Sequence, residues 1–203
     1  PESINHFSKV IDETEIVVMQ AEIPYNTIKS IALLAQQKGK KVLFNPAPAC
    51  LIDAELMKAI DILVVNEVEA AFVSGIKHTG DNLEEIAEAL ITAGAQNVVI
   101  TLGSHGVYMK NAYTSGRLPS YKVNAIDTIA AGDTFCGALA VMCAQKEIDI
   151  EALKFANAAA AIAVTRSGAQ PSIPTLEEVN HFILKNELPY RSTSKFNEHE
   201  NLL

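Results

Sequence analysis

A run of mostly small residues, with an aspartate near each end, lies in the second half of the chain and leads into an apolar, helix-like segment. It reads Asp-Thr-Ile-Ala-Ala-Gly-Asp-Thr-Phe over residues 127–135. Small side chains let backbone N–H groups come close to a ligand. A helix that begins near Gly132 would also direct the positive end of its dipole to this place. The run therefore predicts an anion site, with Ala130, Ala131 and Gly132 as the anion hole.

The carboxylate of Asp133 follows directly on this predicted anion site. Repulsion between like charges makes the position costly. The cost is reasonable if the carboxylate accepts the proton of a hydroxyl group that attacks a phosphoryl group. Aspartate is also one of the commonest N-cap residues of helices. A Gly-Asp pair by itself would therefore fit a structural cap equally well.

The complete run resembles the signature of the ribokinase-like carbohydrate kinases, the phosphofructokinase-B family, which reads Asp-Thr-x-Gly-Ala-Gly-Asp-x-Phe. Ala130 stands where many members have glycine. The resemblance continues in order from about Ile16 to Ile183, and the chain has no Gly-x-x-x-x-Gly-Lys-Ser/Thr run. It implies an ATP-dependent sugar kinase in which Asp133 is the catalytic base and also contacts the sugar hydroxyl that it deprotonates.

The resemblance also implies a substrate. The sequences of residues 127–135 and 158–171 most closely resemble those of the ribose-specific members. The expected reaction transfers the γ-phosphoryl group of ATP, bound with Mg²⁺, to the 5-hydroxyl of D-ribose, giving ribose 5-phosphate and ADP. Fructose, deoxyribose or a nucleoside remain alternative acceptors, and a non-catalytic nucleotide-binding remnant is a further alternative. A dehydrogenase is disfavoured, because no Gly-x-Gly-x-x-Gly opens a strand–helix unit.

Further site residues follow from the resemblance at the ends of predicted strands. Asn66 would reach the nucleotide phosphates, Glu69 would act on Mg²⁺ through water, and Glu22 would contact the sugar. From the residues alone, Asn66 and Glu69 fit a helix cap and Glu22 fits a solvated loop. The other nucleotide-binding residues are expected along a glycine-rich turn, at the start of the helix near Gly132 and beside the adenine. They are Thr101, Leu102, Gly103, Ser104, His105, Gly106, Gly132 and Asn157. No catalytic role is expected for His105.

A monovalent cation, usually K⁺, is the other cofactor that the resemblance implies. It would order the Ala130–Asp133 loop without joining the reaction, so we expect activity to fall when Na⁺ or Li⁺ replaces K⁺. An all-oxygen donor set suits a hard cation. The implied ligands are the Asp127 carboxylate, the carbonyl groups of Ile129, Ala163, Arg166 and Gly168, and the Ser172 hydroxyl.

Alternating strand and helix patterns position these residues. They predict an α/β fold, a mostly parallel sheet flanked by helices on both faces, with ligands at the carboxyl ends of the strands. The resemblance makes this fold ribokinase-like, with N-terminal strands and a lid missing. Four strands are predicted to be buried: Glu15–Gln20, Lys41–Phe44, Ile62–Val65 and Asn97–Thr101. Two more, Val107–Lys110 and Tyr121–Asn124, are predicted to form a more exposed antiparallel pair. The predicted helices are Asn26–Lys38, Asp53–Ala59, one from Glu67, Leu83–Ala93 with an Asp81–Glu84 capping box, one near Gly132, Asp149–Thr165, and one capped by Thr175 and Glu178.

The domain prediction is a nucleotide-binding and catalytic α/β domain over residues 1–188 and a polar tail over residues 189–203. Family members carry a Gly-Gly sugar-binding motif and a strand lid in an N-terminal part, and no Gly-Gly pair occurs here. We therefore expect a fragment of a longer kinase, incomplete at its N-terminal side. It should bind sugar poorly and be inactive alone, since water would reach the phosphoryl group.

Composition narrows the class of protein. The chain has 203 residues, of which 49% are hydrophobic, and a net charge of −8. This balance argues against a general binder of nucleic acid or of anionic membranes. Three cysteines show no metal-ligand spacing and fit a cytoplasmic protein. The expected partners are ATP and a pentose, with no nucleic acid and no membrane; a homodimer of the full-length protein is left open.

Overall fold

The computed structural model describes residues 4–186 and residue 188, with the backbone alone for residues 4–7. Strands and helices alternate over its first hundred residues, and helices dominate the remainder. The strands are β1 Ile16–Gln20, β2 Lys41–Asn45, β3 Ile62–Asn66, β4 Asn97–Thr101, β5 Val107–Asn111 and β6 Ser115–Leu118. The helices are α1 Ile4–Asp12, α2 Tyr25–Gln37, α3 Ala54–Lys58, α4 Glu67–Ser74, α5 Leu83–Thr92, α6 Ala131–Cys143, α7 Ile150–Ala163 and α8 Leu176–Lys185, with short 3-10 helices at Gly103–His105 and Gln170–Ser172.

The described strands form one six-stranded sheet in the order β1-β2-β3-β4-β5-β6. β1, β2 and β3 pair in parallel, with Ile16 opposite Lys41 and Leu43 opposite Ile62. The loops that join β4 to β5 and β5 to β6 are too short for a parallel crossover, so these pairs are antiparallel. A mostly parallel, mixed sheet flanked by helices confirms the predicted fold class.

Contacts divide the chain into two compact units. The N-terminal unit comprises the described residues up to Ile100 together with Met109–Ala112. The C-terminal unit comprises Thr101–Tyr108 and the described residues from Tyr113 onward. The single domain over residues 1–188 stays a prediction, and the predicted tail over residues 189–203 lies outside the described residues.

The core of the N-terminal unit lies on β2, β3 and β4, which are buried as predicted. Phe44, Leu63 and Ile100 are fully buried. The prediction that the first strand is buried on both faces is wrong, because β1 is the edge strand of the described sheet and Val18 is 45% exposed. An apolar, β-branched sequence fits both positions, so sequence alone does not distinguish them.

The predicted capping box before α5 is also wrong. Asn82 is the N-cap residue, and its side chain makes no capping hydrogen bond. Its Oδ1 instead accepts from the Thr79 N–H at 2.9 Å, and its Nδ2 donates to the Lys77 carbonyl at 3.0 Å. The preceding turn therefore holds the side chain, and α5 is kept in place by its buried face, on which Ile86 and Leu90 lie.

The predicted strand over Tyr121–Asn124 does not form. β5 pairs instead with β6, and β5 is buried at Val107 and Met109 rather than exposed. Tyr121 is 6% exposed and packs edge-on against Phe182 of α8, with ring centroids 5.0 Å apart. This packing removes the segment from the sheet. The β6 sequence Ser-Gly-Arg-Leu is weak in strand-forming residues, which is why the pattern does not reveal it.

The helices of the C-terminal unit begin where the sequence predicts. The Asp149 side chain caps α7 by accepting from the Ala152 N–H at 2.7 Å. Thr175 and Glu178 form the predicted capping box of α8. α6 begins at Ala131, so Gly132 and Asp133 lie in its first turn. Within the described range, no helix has the length and apolarity needed to cross a membrane.

Candidate active site

A cleft of about 460 Å³ opens in the C-terminal unit. This volume is within the usual range of small-molecule sites. Its walls are the turn after β4, the segment between β6 and α6, the first turn of α6 and one side of α7. The lining includes most of the predicted nucleotide-binding and anion-hole residues, namely Thr101, Gly103, Ser104, Gly106, Ala131, Gly132 and Asn157.

The N-terminus of α6 has an unusual backbone. Ala130 is the N-cap with φ 62° and ψ 7°, and among the described residues it alone has a positive φ without being glycine. Its methyl group offers no oxygen to cap the helix. The first intrahelical bond runs from the Thr134 N–H to the Ala130 carbonyl at 2.8 Å. Helix geometry leaves the Gly132 N–H without an intrahelical acceptor, so it can serve an anion in the cleft.

No contact within the protein explains the glycine at position 132. A Cβ atom built there meets no other atom within 4 Å, and its φ lies outside the left-handed region. Glycine inside a helix costs about 0.5–1 kcal/mol relative to alanine. The residue next to it, Asp133, is exposed and does not line the cleft. Asp133 is thus exposed to solvent directly beside Gly132, which lines the cleft.

The turn after β4 uses part of its backbone internally. The N–H groups of Leu102, His105 and Gly106 donate within the turn, at 2.8–3.1 Å. Those of Gly103 and Ser104 begin the 3-10 helix and have no acceptor in that helix. Gly103 and Ser104 line the cleft, whereas Leu102 is buried and His105 is exposed away from it.

Gly106 is required by the fold itself. Its φ is 96°, and a Cβ atom there would lie 2.0 Å from the Leu118 carbonyl oxygen. No other residue fits without moving that backbone. Two of the three glycines that line the cleft therefore have different causes. Gly106 is required by packing, whereas Gly132 leaves space for a ligand to approach the backbone.

Asn157 of α7 connects two walls of the cleft. Its side chain is 6% exposed, and its Nδ2 donates to the Pro119 carbonyl at 2.8 Å. This bond fixes the segment after β6 against α7. Ala160, Ala161 and Val164 continue the same wall with small or apolar side chains. Such a surface, with the amide of Asn157 as its buried polar side chain, can accept a flat aromatic base.

Comparison with known proteins agrees with this geometry. A family model described as pfkB family carbohydrate kinase matches residues 2–176. The chain belongs to the pfkB family of carbohydrate kinases. It is 41% identical over 182 residues to a ribokinase from Staphylococcus aureus, covering 89% of this chain and 60% of that protein. It is 38% identical over 174 residues to a ribokinase from Haemophilus influenzae, covering 85% and 57%.

Two solved structures of ribokinases are also similar to this chain. The ribokinase from Thermotoga maritima matches with a TM-score of 0.79 at 40% identity, covering 88% of this chain and 59% of that one. The Arabidopsis thaliana ribokinase, solved in complex with ribose and ATP, matches with a TM-score of 0.83 at 28% identity and the same coverage. The chain thus spans about three-fifths of the length of these relatives.

The six predicted cation ligands of this pfkB chain lie in two segments, which Asp127 joins. Its Oδ2 accepts from the Gly168 N–H at 3.0 Å, and its Oδ1 accepts from the Ile129 N–H at 2.9 Å. The hydrogen bond from Gly168, and after it the bond from Ile129, holds the pKa of Asp127 below its usual value. The carboxylate is therefore charged and bridges the segment before α6 and the segment after α7.

The donor set of this site fits a monovalent cation. It contains one carboxylate with carbonyl and hydroxyl oxygens, all hard ligands. Ser172 is fully buried, and its hydroxyl donates to the Ala169 carbonyl at 2.6 Å, so its oxygen still has lone pairs to offer. The described residues contain no group of three or more His, Cys, Asp or Glu side chains placed so that they could hold a metal ion. A carboxylate-rich divalent site of that kind is therefore not present among them.

Asn66 and Glu69 of the N-terminal unit form a capping box at α4. The Asn66 Oδ1 accepts from the Glu69 N–H at 2.8 Å, and the Glu69 Oε2 accepts from the Asn66 N–H at 2.9 Å. Glu69 is 9% exposed, whereas Asn66 is exposed. Asn66 and Glu69 thus form a helix cap, the structural role that their sequence also fits. Their roles toward phosphate and Mg²⁺ stay predictions, as does sugar contact by Glu22, which is exposed in the turn after β1.

Sequence reasoning missed the segment between β6 and α6 as a wall of the cleft. Ser120, Tyr121, Lys122 and Val123 all line it. Lys122 is the one lining residue with a charged side chain. The strand-like alternation of this segment hid its role, and a lysine beside a predicted phosphate site was the available signal.

Proposed function

We propose that this chain contains the nucleotide-binding and phosphoryl-transfer part of a ribokinase, an ATP-dependent phosphotransferase. The full-length protein would transfer the γ-phosphoryl group of ATP to the 5-hydroxyl of D-ribose, giving ribose 5-phosphate and ADP. The observation that carries the proposal is the N-terminus of α6. There an uncapped helix end, held by a left-handed Ala130, faces a nucleotide-sized cleft beside the exposed carboxylate of Asp133.

The chemistry assigns each group a step. The Asp133 carboxylate accepts the proton of the 5-hydroxyl, and the hydroxyl oxygen forms a bond to the γ-phosphorus. The bond from that phosphorus to the β–γ bridging oxygen breaks, and ADP leaves with the electron pair. The Gly132 N–H and the dipole of α6 stabilise the charge on the transferred group. The Ala131 N–H donates to the Thr128 carbonyl at 3.3 Å and would have to leave it to contribute. No lysine of a Walker loop is needed for this.

Two metal ions complete the proposal. Mg²⁺ bound with ATP would neutralise phosphate charge; Glu69 would hold one of its waters, and Asn66 would contact the phosphates. K⁺ would be held by the Asp127 carboxylate and the carbonyl and hydroxyl oxygens already named. Asp127 is bonded to the segment that leads into Ala130, which supports a role for this cation in shaping the anion hole.

The named relatives support ribose as the acceptor, since proteins called ribokinase are 38–41% identical to the chain. Deoxyribose is a second candidate acceptor, because a protein called deoxyribokinase from Salmonella typhi is 32% identical over 190 residues. Fructose or a nucleoside is not favoured by any observation here. We further propose that sugar binding needs residues of the full-length protein beyond these 203, and that the chain alone binds ATP without turning it over.

A matched pair of glycine substitutions tests the anion hole. Gly132 and Gly137 are both exposed residues of α6, and a Cβ atom meets nothing within 4 Å at either one. Alanine should raise the helix stability by up to about 1 kcal/mol at both positions. Gly132→Ala should also weaken ATP binding at least about tenfold, since its methyl group occupies the approach of the phosphate. Gly137→Ala should leave ATP affinity unchanged.

Titration calorimetry with ATP and Mg²⁺, together with thermal unfolding, separates the outcomes. Equal ATP affinity in both variants would remove the anion hole from the proposal. Absence of ATP binding in the unsubstituted protein would remove the proposed function altogether.

A further inference from the structure

An ion pair on the surface of the C-terminal unit connects the exit of α7 to the first turn of α8. The Arg166 guanidinium donates through one nitrogen to the Glu178 Oε1 at 2.5 Å and through the other to Oε2 at 3.3 Å. The side chains are 34% and 43% exposed. Two parallel N–H···O bonds fix the direction of both side chains more strictly than a single contact does.

Glu178 is also fixed from a second side. Its Oε2 accepts from the Thr175 N–H at 2.8 Å as part of the capping box of α8. The Arg166 guanidinium, followed by the Thr175 N–H, lowers the pKa of Glu178 to about 2. The carboxylate is therefore charged at every pH at which the protein would work, and α8 serves as a fixed support for Arg166.

The backbone on either side of Arg166 is hydrogen-bonded to the loop before α6. The Val164 carbonyl accepts from the N–H groups of Ile126 and Asp127, at 2.7 and 3.2 Å. The Asp127 carboxylate accepts from the Gly168 N–H on the far side of Arg166. One short segment thus connects Glu178 to the residues that lead directly into the left-handed Ala130.

An exposed ion pair contributes little to global stability. The same ion pair can still determine the conformation of a loop that has few other fixed contacts. The segment after α7 has no regular secondary structure until the 3-10 helix at Gln170, and two of its carbonyl groups, those of Arg166 and Gly168, are proposed cation ligands. The directions of these carbonyls depend on the contacts that hold the segment, and the Arg166–Glu178 pair is the one that ties it to α8.

We propose that Glu178 is a positioning residue for the anion site, acting through Arg166 on the segment after α7 and through Asp127 on the loop before α6. The proposal rests on the proposed function, because it concerns the same nucleotide site. Loss of the pair should leave the fold intact, disorder the carbonyl groups of the segment, and raise the K⁺ concentration needed for tight ATP binding. Saturating K⁺ should restore the affinity, since the cation then orders the loop by itself.

The test compares Glu178→Gln with Glu177→Gln. Glutamine at position 178 can still complete the capping box, so the variant removes the ion pair and keeps the cap. Glu177 is an exposed glutamate in the same first turn of α8, and its replacement removes the same charge near the same helix dipole. ATP affinity is measured by calorimetry on the 203-residue chain over a KCl series at constant ionic strength, with NaCl as the balancing salt.

We expect Glu178→Gln to raise the K⁺ concentration for half-maximal affinity roughly three- to tenfold, and Glu177→Gln to change it less than twofold. Arg166→Met should give the same shift as Glu178→Gln, and the double variant should add nothing further, because both remove one interaction. Thermal unfolding without nucleotide should differ little among these variants, which separates a positioning role from a purely structural one.

Three results would overturn the inference. Equal K⁺ midpoints for the two glutamine variants would show that only surface charge matters. A fall in unfolding temperature with unchanged ATP affinity would make the pair structural. ATP affinity that is independent of K⁺ in every variant would remove the cation loop as the route of action, while the nucleotide site itself would stand. If the unsubstituted chain binds no ATP, the proposed function fails first and this inference fails with it.

Discussion

The N-termini of α4 and α6 differ in how their unpaired backbone N–H groups are satisfied. Both helices begin where a loop or strand end delivers N–H groups without partners. At α4, Asn66 and Glu69 close the end with two reciprocal hydrogen bonds. At α6, Ala130 occupies the N-cap in a left-handed conformation and offers no side-chain oxygen. The first end is closed by its own side chains, and the second stays available to a ligand.

The difference shows what an anion site costs. An alanine in the left-handed region costs about 1–2 kcal/mol, and an N-cap without a polar side chain forgoes about 1 kcal/mol. Backbone strain of this kind persists only where surrounding structure holds it, and it is concentrated at functional sites. At α6 the holding contacts are the bonds of Asp127 to Ile129 and Gly168. The helix end with the poorer local energetics is therefore the better candidate for chemistry.

The largest expected effect is at the open end. Asp133→Asn in the full-length protein should lower kcat for ribose phosphorylation by about 100- to 10,000-fold, the usual contribution of a general base. ATP affinity should stay within a few-fold or improve, because a negative charge near the phosphates is gone. Coupled measurement of ADP release gives the rate, and calorimetry gives the affinity. An unchanged kcat would reduce Asp133 to a helix-terminal residue like those of α4.

A substitution at Ala130 tests whether strain is stored there. Ala130→Val should destabilise the protein by about 2 kcal/mol or more, because a β-branched residue resists a positive φ. Ala130→Gly should change stability by less than about 1 kcal/mol, since relief of strain in the folded state is offset by greater freedom in the unfolded chain. Urea unfolding measures both. Equal stability of the two variants would contradict a left-handed conformation at this position.

The closed end should behave as an ordinary cap. Asn66→Ala should lower the free energy of unfolding by about 1 kcal/mol, and Asn66→Ser should recover most of it. Thr175→Ala and Thr175→Ser at α8 provide the matched pair, because that helix carries the same type of capping box. All four are compared by urea unfolding without nucleotide. No loss at position 66 alone would indicate that α4 is held by packing rather than by its cap.

The smallest expected effect concerns a second source of positive charge at the cleft. Lys122→Met should weaken ATP binding about three- to tenfold, and the binding of AMP and adenosine progressively less. Arg117→Met is the control, since Arg117 is an exposed cation of β6 outside the cleft lining. Fluorescence competition with ATP, AMP and adenosine gives the series. An equal loss for adenosine and ATP would place Lys122 at the base rather than near the phosphates.

Much of the fold was predictable because its signals are local. β2, β3 and β4 are continuous apolar runs, and the capping box of α8 lies within four consecutive residues. Predictions failed where a local pattern competed with distant packing. Tyr121 alternates like a strand residue but packs on Phe182, and Asn82 bonds to the turn before its helix. At the site, the small residues of 127–135 pointed to α6, whereas Lys122 and Val123 became visible only as a wall of the cleft.

The sequence by itself determined that a glycine-flanked helix end with an adjacent carboxylate exists, since backbone access and dipole direction follow from residues next to one another. The tertiary structure alone decided that Asp127 meets Gly168, that Arg166 meets Glu178, and that Asn157 bonds to Pro119. These contacts join positions far apart in the chain, so no local pattern encodes them. They depend on how the helices pack, and that packing gives the open helix end its shape.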